Sequence, residues 1–306
     1  MKVYESVLEM VGHTPVVKLK SYSKPGIEVF LKLEFKNPGG SIKDRPALKI
    51  VEEAEKRGEL KPGATIIEAT SGNTGIGLSL VGAVKGYDVK IVMPENMSIE
   101  RQKIMKAYGS ELILTPKESG MKGSIDIADK LKKENPEYFV ANQFKNRDNP
   151  KSHEEGTATE IIEQMNHELD YFVGGIGTGG TVTGVARTLK RNLDNLKIIG
   201  VEPSGSPVLS GGEAGPHKLQ GIGAGFIPEV LDESLLNEIF LVEDEEAYEE
   251  ARFLAREEGL MVGISTGANL AAVRKLVSKV RTESNIKILT LAASSGERYL
   301  STDLYE

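Results

Sequence analysis

Short apolar runs alternate with amphipathic stretches along most of the chain. "ATIIEAT" at residues 64–70 is rich in β-branched residues and reads as a strand, and "GIGLSLVGAVKG" after it reads as a helix that Gly86 stops. "DVKIVMP" predicts a strand, "SIERQKIMKAYG" a helix capped by Ser98, and "ELILTP" a strand. "MKGSIDIADKLKKENP" then predicts a helix and "EYFVANQF" a strand. After a polar bridge, "KNRDNPKSHEEG", the rhythm resumes with the strand "DYFVGGIG", the helix "TVTGVARTLKRN" and the strand "KIIGVEP". Near the end come "NEIFLVED", a helix from about Asp244 to Glu258, a helix "NLAAVRKLVSKV" and a strand "NIKILTLAAS". Strands that are apolar throughout, alternating with helices, predict mostly parallel sheets covered on both faces. The expected fold class is therefore α/β, with two three-layer domains. The bridge near 145–156 places their boundary between 1–146 and 147–306, with a segment near 13–35 expected to join the sheet of the second domain.

Composition narrows the class. The chain has 306 residues, enough for one large core or two smaller ones. No window holds eighteen apolar residues, and "MKVYESVLEMVGHTP" lacks the apolar core of a signal peptide, so a soluble, cytoplasmic protein is expected. There are 0 cysteines, which excludes disulfides, thiolate metal sites and a cysteine nucleophile. His13, His167 and His217 show no metal-ligand spacing, so no metal is expected. The net charge of −7, with acids and bases interspersed, argues against nucleic acid as a partner.

In open α/β sheets, ligands sit where strands give way to helices. Three such turns are unusual: "TSGNTG" (70–75), "GGIGTGGT" (174–181) and "GISTGAN" (263–269). Backbone amides at a helix start hold an anion, and small side chains let it approach. Any one of the three is equally well a tight glycine turn with a capping hydroxyl; all three in one chain point to ligands. The long glycine-rich connection at 205–228 is of the kind that serves a site. "GIGTGG" with Glu202 closing the next strand also has the outline of a dinucleotide fingerprint, through Gly175, Gly177 and Gly180, although it lies mid-chain and carries an extra glycine at 179.

"NPGGSIKDRPA" (37–47) raises a different question. Pro46 cannot sit in a helix interior, so the helix "DRPALKIVEEAEKRG" must start at about residue 43. Lys43 then stands at the positive end of a helix, the wrong place for a cation. That position, with partial burial, would depress its pKa, as Schiff-base chemistry needs. The plain alternative is an ion pair with Asp44 or a surface carboxylate.

Taken together, "NPGGSIKDRPA", "TSGNTGIGL", "NQFKN", "GIGTGGTVTGV", "QGIGAGFIP", "GISTGAN" and "SSGERYLSTDLY" stand in one order over nearly the whole chain. In this the chain resembles the cysteine synthase (O-acetylserine sulfhydrylase) family, which belongs to the β-family, or fold type II, of pyridoxal-phosphate enzymes. The resemblance implies a tryptophan synthase β-like fold, with pyridoxal 5'-phosphate in the cleft between two α/β domains, and a homodimer. It implies that Lys43 is the Schiff-base lysine and that Asn73 bonds the cofactor's ring oxygen. Thr70, Ser71, Gly72, Asn73 and Thr74 would grip the substrate carboxylate, with Gln143 as a second contact. Gly177, Thr178, Gly179, Gly180 and Thr181 would hold the cofactor phosphate, and Ser265 would face the pyridine nitrogen. The implied reaction is β-replacement: O-acetyl-L-serine loses acetate to leave bound α-aminoacrylate, and sulfide adds to give L-cysteine. The resemblance also names serine acetyltransferase as a candidate partner.

Two departures from the family stand out: His13 replaces a common Asn in "VGHTP", and "HEEGTATEI" replaces a common "TTGPEI" ending. Alternatives on the same fold are cystathionine β-synthase, threonine dehydratase and enzymes using O-phosphoserine, which need a cation that "GIGAGFIP" lacks. A nicotinamide-dependent oxidoreductase and a catalytically silent binding protein are the readings from other classes.

Overall fold

All the strands that the apolar runs predict are present, and they sort into two sheets. The computed structural model describes residues 3–70, 72–281 and 285–306. The first sheet contains β3 (Thr65–Ala69), β4 (Asp88–Pro94), β5 (Glu111–Thr115) and β6 (Phe139–Val140), in the order β5-β4-β3-β6 with every pair parallel. Successive residues of a strand face opposite ways. Ile66 and Ile91 therefore pack on one face with α1 (Asp44–Arg57), α2 (Asn73–Lys85) and α3 (Ile99–Ala107), while Ile67 and Val92 meet Ala128 of α4 (Gly120–Glu134) on the other. Helices on both faces are what make these strands apolar throughout. As the sequence predicts, α2 ends at Gly86, which takes φ 76°, and α3 is capped by the Ser98 hydroxyl.

The second sheet has six strands in the order β1-β2-β10-β7-β8-β9. They are β1 (Val16–Lys18), β2 (Ile27–Lys32), β7 (Tyr171–Gly175), β8 (Lys197–Pro203), β9 (Glu238–Val242) and β10 (Ile286–Leu291). Only β1 runs antiparallel to its neighbour. The segment 16–32 thus lies in a sheet otherwise built from residues after 170. Val29 and Val173 pack under α8 (Asp244–Glu258) and α9 (Ile264–Lys279); Phe172 and Leu289 pack under α6 (Ala158–Gln164) and α7 (Gly180–Asn192).

The polar stretch at 145–156 is not an exposed bridge. It forms α5 (Asp148–Ser152) and a π turn, His153–Thr157, that runs on into α6, with Asn149, Ser152, His153 and Thr157 buried. Its polar groups bond inward, which offsets the cost of burying them. Ser152 Oγ donates to the Asn149 carbonyl at 2.7 Å, and His153 Nδ1 lies 2.9 Å from Thr157 Oγ1. β6 is also shorter than "EYFVANQF" suggests, because residues 141–143 turn away into the loop described below.

A buried ionic cluster joins the two halves. Lys32 of β2 donates to Thr14 O at 2.9 Å, Glu160 Oε2 at 2.8 Å and Gln164 Oε1 at 2.8 Å. Arg45 of α1 grips Glu34 through Nε at 2.7 Å and Nη2 at 2.8 Å, and Glu160 through Nη1 at 2.7 Å. Burial alone would raise the Glu160 pKa, but Arg45 and Lys32 outweigh it and hold the group at about 2. His13 donates its backbone N–H to the same carboxylate from a left-handed φ of 50°, a conformation that Asn and His tolerate better than most residues. No helix among the described residues is long and apolar enough to cross a membrane.

Candidate active site

Four helix starts, those of α1, α2, α7 and α9 (Ile264–Lys279), meet at one cavity of about 470 Å³. The first is α1. Lys43 is its N-cap residue, with φ −73° and ψ −13°, and Pro46 falls inside the first turn. The Lys43 amine is pushed down to about 8, and the cause is burial in the cavity wall rather than a neighbouring charge. Among the described residues no carboxylate pairs with it. Asp44 instead turns back and accepts the Gly39 N–H at 2.6 Å. Burial raises Asp44 to about 7, against the pull of that amide and of Arg298.

The second start is α2. Thr70, Gly72, Asn73 and Thr74 line the cavity, while Ser71 lies outside the described residues. Thr74 Oγ1 donates to Gln143 Oε1 at 2.6 Å. Gln143 is held from behind by Glu68 of β3. One carboxylate oxygen of Glu68 accepts the Asn142 N–H at 2.6 Å and the other accepts the Gln143 N–H at 3.3 Å. Burial lifts Glu68 to about 7, against these donors. The sequence offered one signal for it, an acid inside the apolar run "TIIEA".

The third start is α7. A Cβ on Gly177 would lie 2.3 Å from the carbonyl oxygen of Gly221, so only glycine fits. Thr178 Oγ1 accepts from Gly180 N at 3.3 Å and from Asn149 Nδ2 at 3.1 Å. Asn149 also donates to the Gln143 carbonyl at 2.8 Å, tying this cradle to the Gln143 loop. Gly177, Thr178, Gly179 and Thr181 line the cavity; Gly180 stands behind them against Asn149. His153, which the sequence reading left without a role, lies with Nε2 3.2 Å from Thr181 Oγ1. Burial, reinforced by the charges of Arg45 and Lys43, holds its pKa well below the ordinary value, so it is neutral.

Ser265, in the first turn of α9, closes the wall, and the loop at 217–226 covers it through His217, Leu219, Gly221 and Phe226. Glu202 anchors the stretch before that loop by accepting from Leu209 N at 2.9 Å and Ser210 Oγ at 2.5 Å. Glu202 is buried and bonds within the chain rather than lining this cavity, so it does not present the acid that the dinucleotide reading requires. Arg101 and Lys117 also line the cavity, so cations are present there although "GIGAGFIP" has none.

A helix start without side chains that would block an anion, one buried amine of lowered pKa and a hydroxyl at Ser265 fit a phosphorylated aldehyde with a pyridine ring. The fold and site define a pyridoxal-phosphate enzyme. A family model described as "Pyridoxal-phosphate dependent enzyme" matches residues 7–293. The cysteine synthase of Staphylococcus aureus (strain Mu50) is 48% identical over 307 residues, spanning 99% of this chain and 98% of the relative. The crystal structure of the cysteine synthase of Entamoeba histolytica superposes with a TM-score of 0.96 at 48% identity, covering 99% of this chain and 91% of that one. That of an O-ureido-L-serine synthase superposes with a TM-score of 0.96 at 41% identity, covering 99% and 96%. The chain belongs to the cysteine synthase family of pyridoxal-phosphate-dependent enzymes, and its cofactor is pyridoxal phosphate.

Proposed function

We propose that this chain makes L-cysteine and acetate from O-acetyl-L-serine and sulfide. The observation that carries the reading is the meeting, in one cavity, of a lysine of lowered pKa, a Thr–Gln pair at a helix start and a glycine cradle. Bound there, pyridoxal phosphate supplies a carbonyl that condenses with amines and a ring that withdraws electrons from Cα. The residues Gly177 to Thr181 would hold its phosphate at the α7 start. Asn73 would face its ring oxygen, and Ser265 would offer its pyridine nitrogen a neutral hydrogen bond, which would keep the ring a moderate electron sink. Such a sink suits departure of a good β-leaving group. Thr70, Ser71, Gly72, Asn73 and Thr74, with Gln143, orient the substrate carboxylate. Lys43 would be the base that takes the Cα proton and later returns one, a role favoured by burial, which pushes its amine down to about 8.

The family resemblance supports a homodimer with serine acetyltransferase as a candidate partner, and the sequence pattern supports a cytoplasmic protein with domains at 1–146 and 147–306. The test is cysteine formation by the purified, cofactor-loaded protein. Turnover with O-acetyl-L-serine and sulfide is expected to exceed that with O-phospho-L-serine, or with homocysteine in place of sulfide. Preference for the phospho ester would assign Arg101 and Lys117 to the leaving group and overturn the acetyl reading. Preference for homocysteine would move the assignment to cystathionine synthesis.

A further inference from the structure

The C-terminal segment "SSGERYLSTDLY" has no task in the reading above, yet its Tyr299 lines the cavity and its Arg298 touches the cavity wall from behind. Arg298 lies in the short 3-10 turn Gly296–Tyr299 that follows β10, and it is buried. Its Nη1 donates to Asn73 Oδ1 at 2.6 Å, and its Nη2 donates to the Gly39 carbonyl. A guanidinium has five N–H donors and no acceptor. The Asn73 amide must therefore turn its oxygen toward Arg298, which leaves the –NH₂ as the end available to the cavity that Asn73 lines.

The two glycines of "NPGGS" fit the same arrangement. A Cβ on Gly39 would lie 2.6 Å from Asp44 Oδ1. One on Gly40, which takes φ +78°, would lie 2.6 Å from Arg298 Nη2. The backbone passes between a buried carboxylate and a buried guanidinium, and there is no room for a side chain. The Asp44 charge attracts Arg298 from α1, Arg101 of α3 opposes it, and Tyr108 and Tyr299 face it. The guanidinium is wedged, and its fork spans both Asn73 and Gly39.

We propose that Arg298 is a positioning residue that fixes the Asn73 amide as a hydrogen-bond donor toward the cofactor's ring oxygen. This rests on the role given to Asn73 above. An N–H aimed at that oxygen stabilises its anionic form; a flipped amide would face it with another oxygen and destabilise it. The ionisation of the ring oxygen sets the cofactor's visible absorption, so the effect is read without turnover. Lysine at 298 keeps the charge but not the planar two-point fork.

The experiment compares holoenzyme spectra of the wild type, R298A, R298K, N73A and the double variants R298A/N73A and R298K/N73A, with cofactor content and thermal melts as controls. R298A is expected to bind cofactor but to lose much of the long-wavelength band to the near ultraviolet. Its kcat should fall about ten- to a hundredfold, the loss of one charge-assisted hydrogen bond. R298K should recover part of the band, and neither substitution should change the spectrum once Asn73 is alanine. A wild-type band in R298A, or an equal shift with and without Asn73, overturns the proposal. If R298A does not fold, the R298K pair decides: a band identical to the wild type, or a shift that persists in N73A, is equally fatal. A wild-type protein that shows no visible band after reconstitution sinks the reading of Lys43 and Asn73, and this proposal with it, whereas unchanged variants beside a normal wild-type band sink this proposal alone.

Discussion

The starts of α2 and α7 are built to one plan, a strand, a turn of glycines and threonines, then a helix, yet they differ in what surrounds the glycines. At Gly177 an added Cβ would lie 2.3 Å from backbone oxygen, which cannot yield. At Gly72 it would lie 3.3 Å from the end of the Arg101 side chain, which can, and the φ of −160° is extended backbone that any residue adopts. The α7 start is a fixed mould and the α2 start an adjustable one. The fixed mould suits a resident group that never leaves, and the adjustable one suits a substrate that must enter, react and depart.

The sharpest way to break that comparison is Lys43, which serves both moulds. Lys43→Ala should abolish cysteine formation while the protein stays folded; normal turnover by this variant would refute the scheme. Gly177→Ala should come next. The clash cannot relax, and overpacking of this kind costs about 1–3 kcal/mol, so cofactor affinity should fall about ten- to a hundredfold by spectroscopic titration. Glu160→Ala tests the joint that holds α1 against the six-stranded sheet. Removing one partner of a buried pair costs about 3–5 kcal/mol, visible as a lower Tm. The same carboxylate has a depressed folded pKa, so its contribution is present above the unfolded pKa near 4.5 and is lost as pH falls toward 2. Reloading of the apoprotein with pyridoxal phosphate should accelerate as pH rises to about 8 and level off above it, because the neutral Lys43 amine is the nucleophile; a rate that keeps climbing about tenfold per pH unit through pH 9 would contradict its lowered pKa. Gly72→Ala should matter least, changing KM for O-acetyl-L-serine within about threefold. A loss as large as that of Gly177→Ala would erase the distinction between the two moulds.

Much of this was legible in the sequence. Parallel strands covered on both faces leave uniform apolar runs, and the turns that hold anions leave glycines and threonines beside them; both signals are local. Lys43 was findable because Pro46 fixes where α1 starts. The residues that escaped are those whose meaning depends on distant partners. His153 and Asn149 sit in a stretch polar enough to pass for surface, and only their bonds to Thr181, Thr178 and Gln143 show otherwise. Arg298 is more than two hundred residues from the Asn73 amide that it touches. Glu68 and Lys32 did carry a signal, an ionisable group inside an apolar strand, but nothing local says what pairs with it. The segment "GIGAGFIP" carries no cation, but the cavity draws its wall from many segments, and Arg101 and Lys117 come from two others.

The place of β2 in the sheet has a consequence for how the molecule is made. Ile27 pairs with Ile286, and Lys32 with Leu291, so a strand among the first to leave the ribosome must wait for one of the last. The four-stranded sheet needs nothing beyond residue 140 and can close during synthesis. The six-stranded sheet cannot close until β10 arrives, and contacts of such separation make folding slow. Until then the apolar face of β2 is exposed, and the cavity that depends on both sheets does not exist. The last event of folding is therefore also the one that creates the site, so a nascent chain should first capture pyridoxal phosphate only after its final strand has docked.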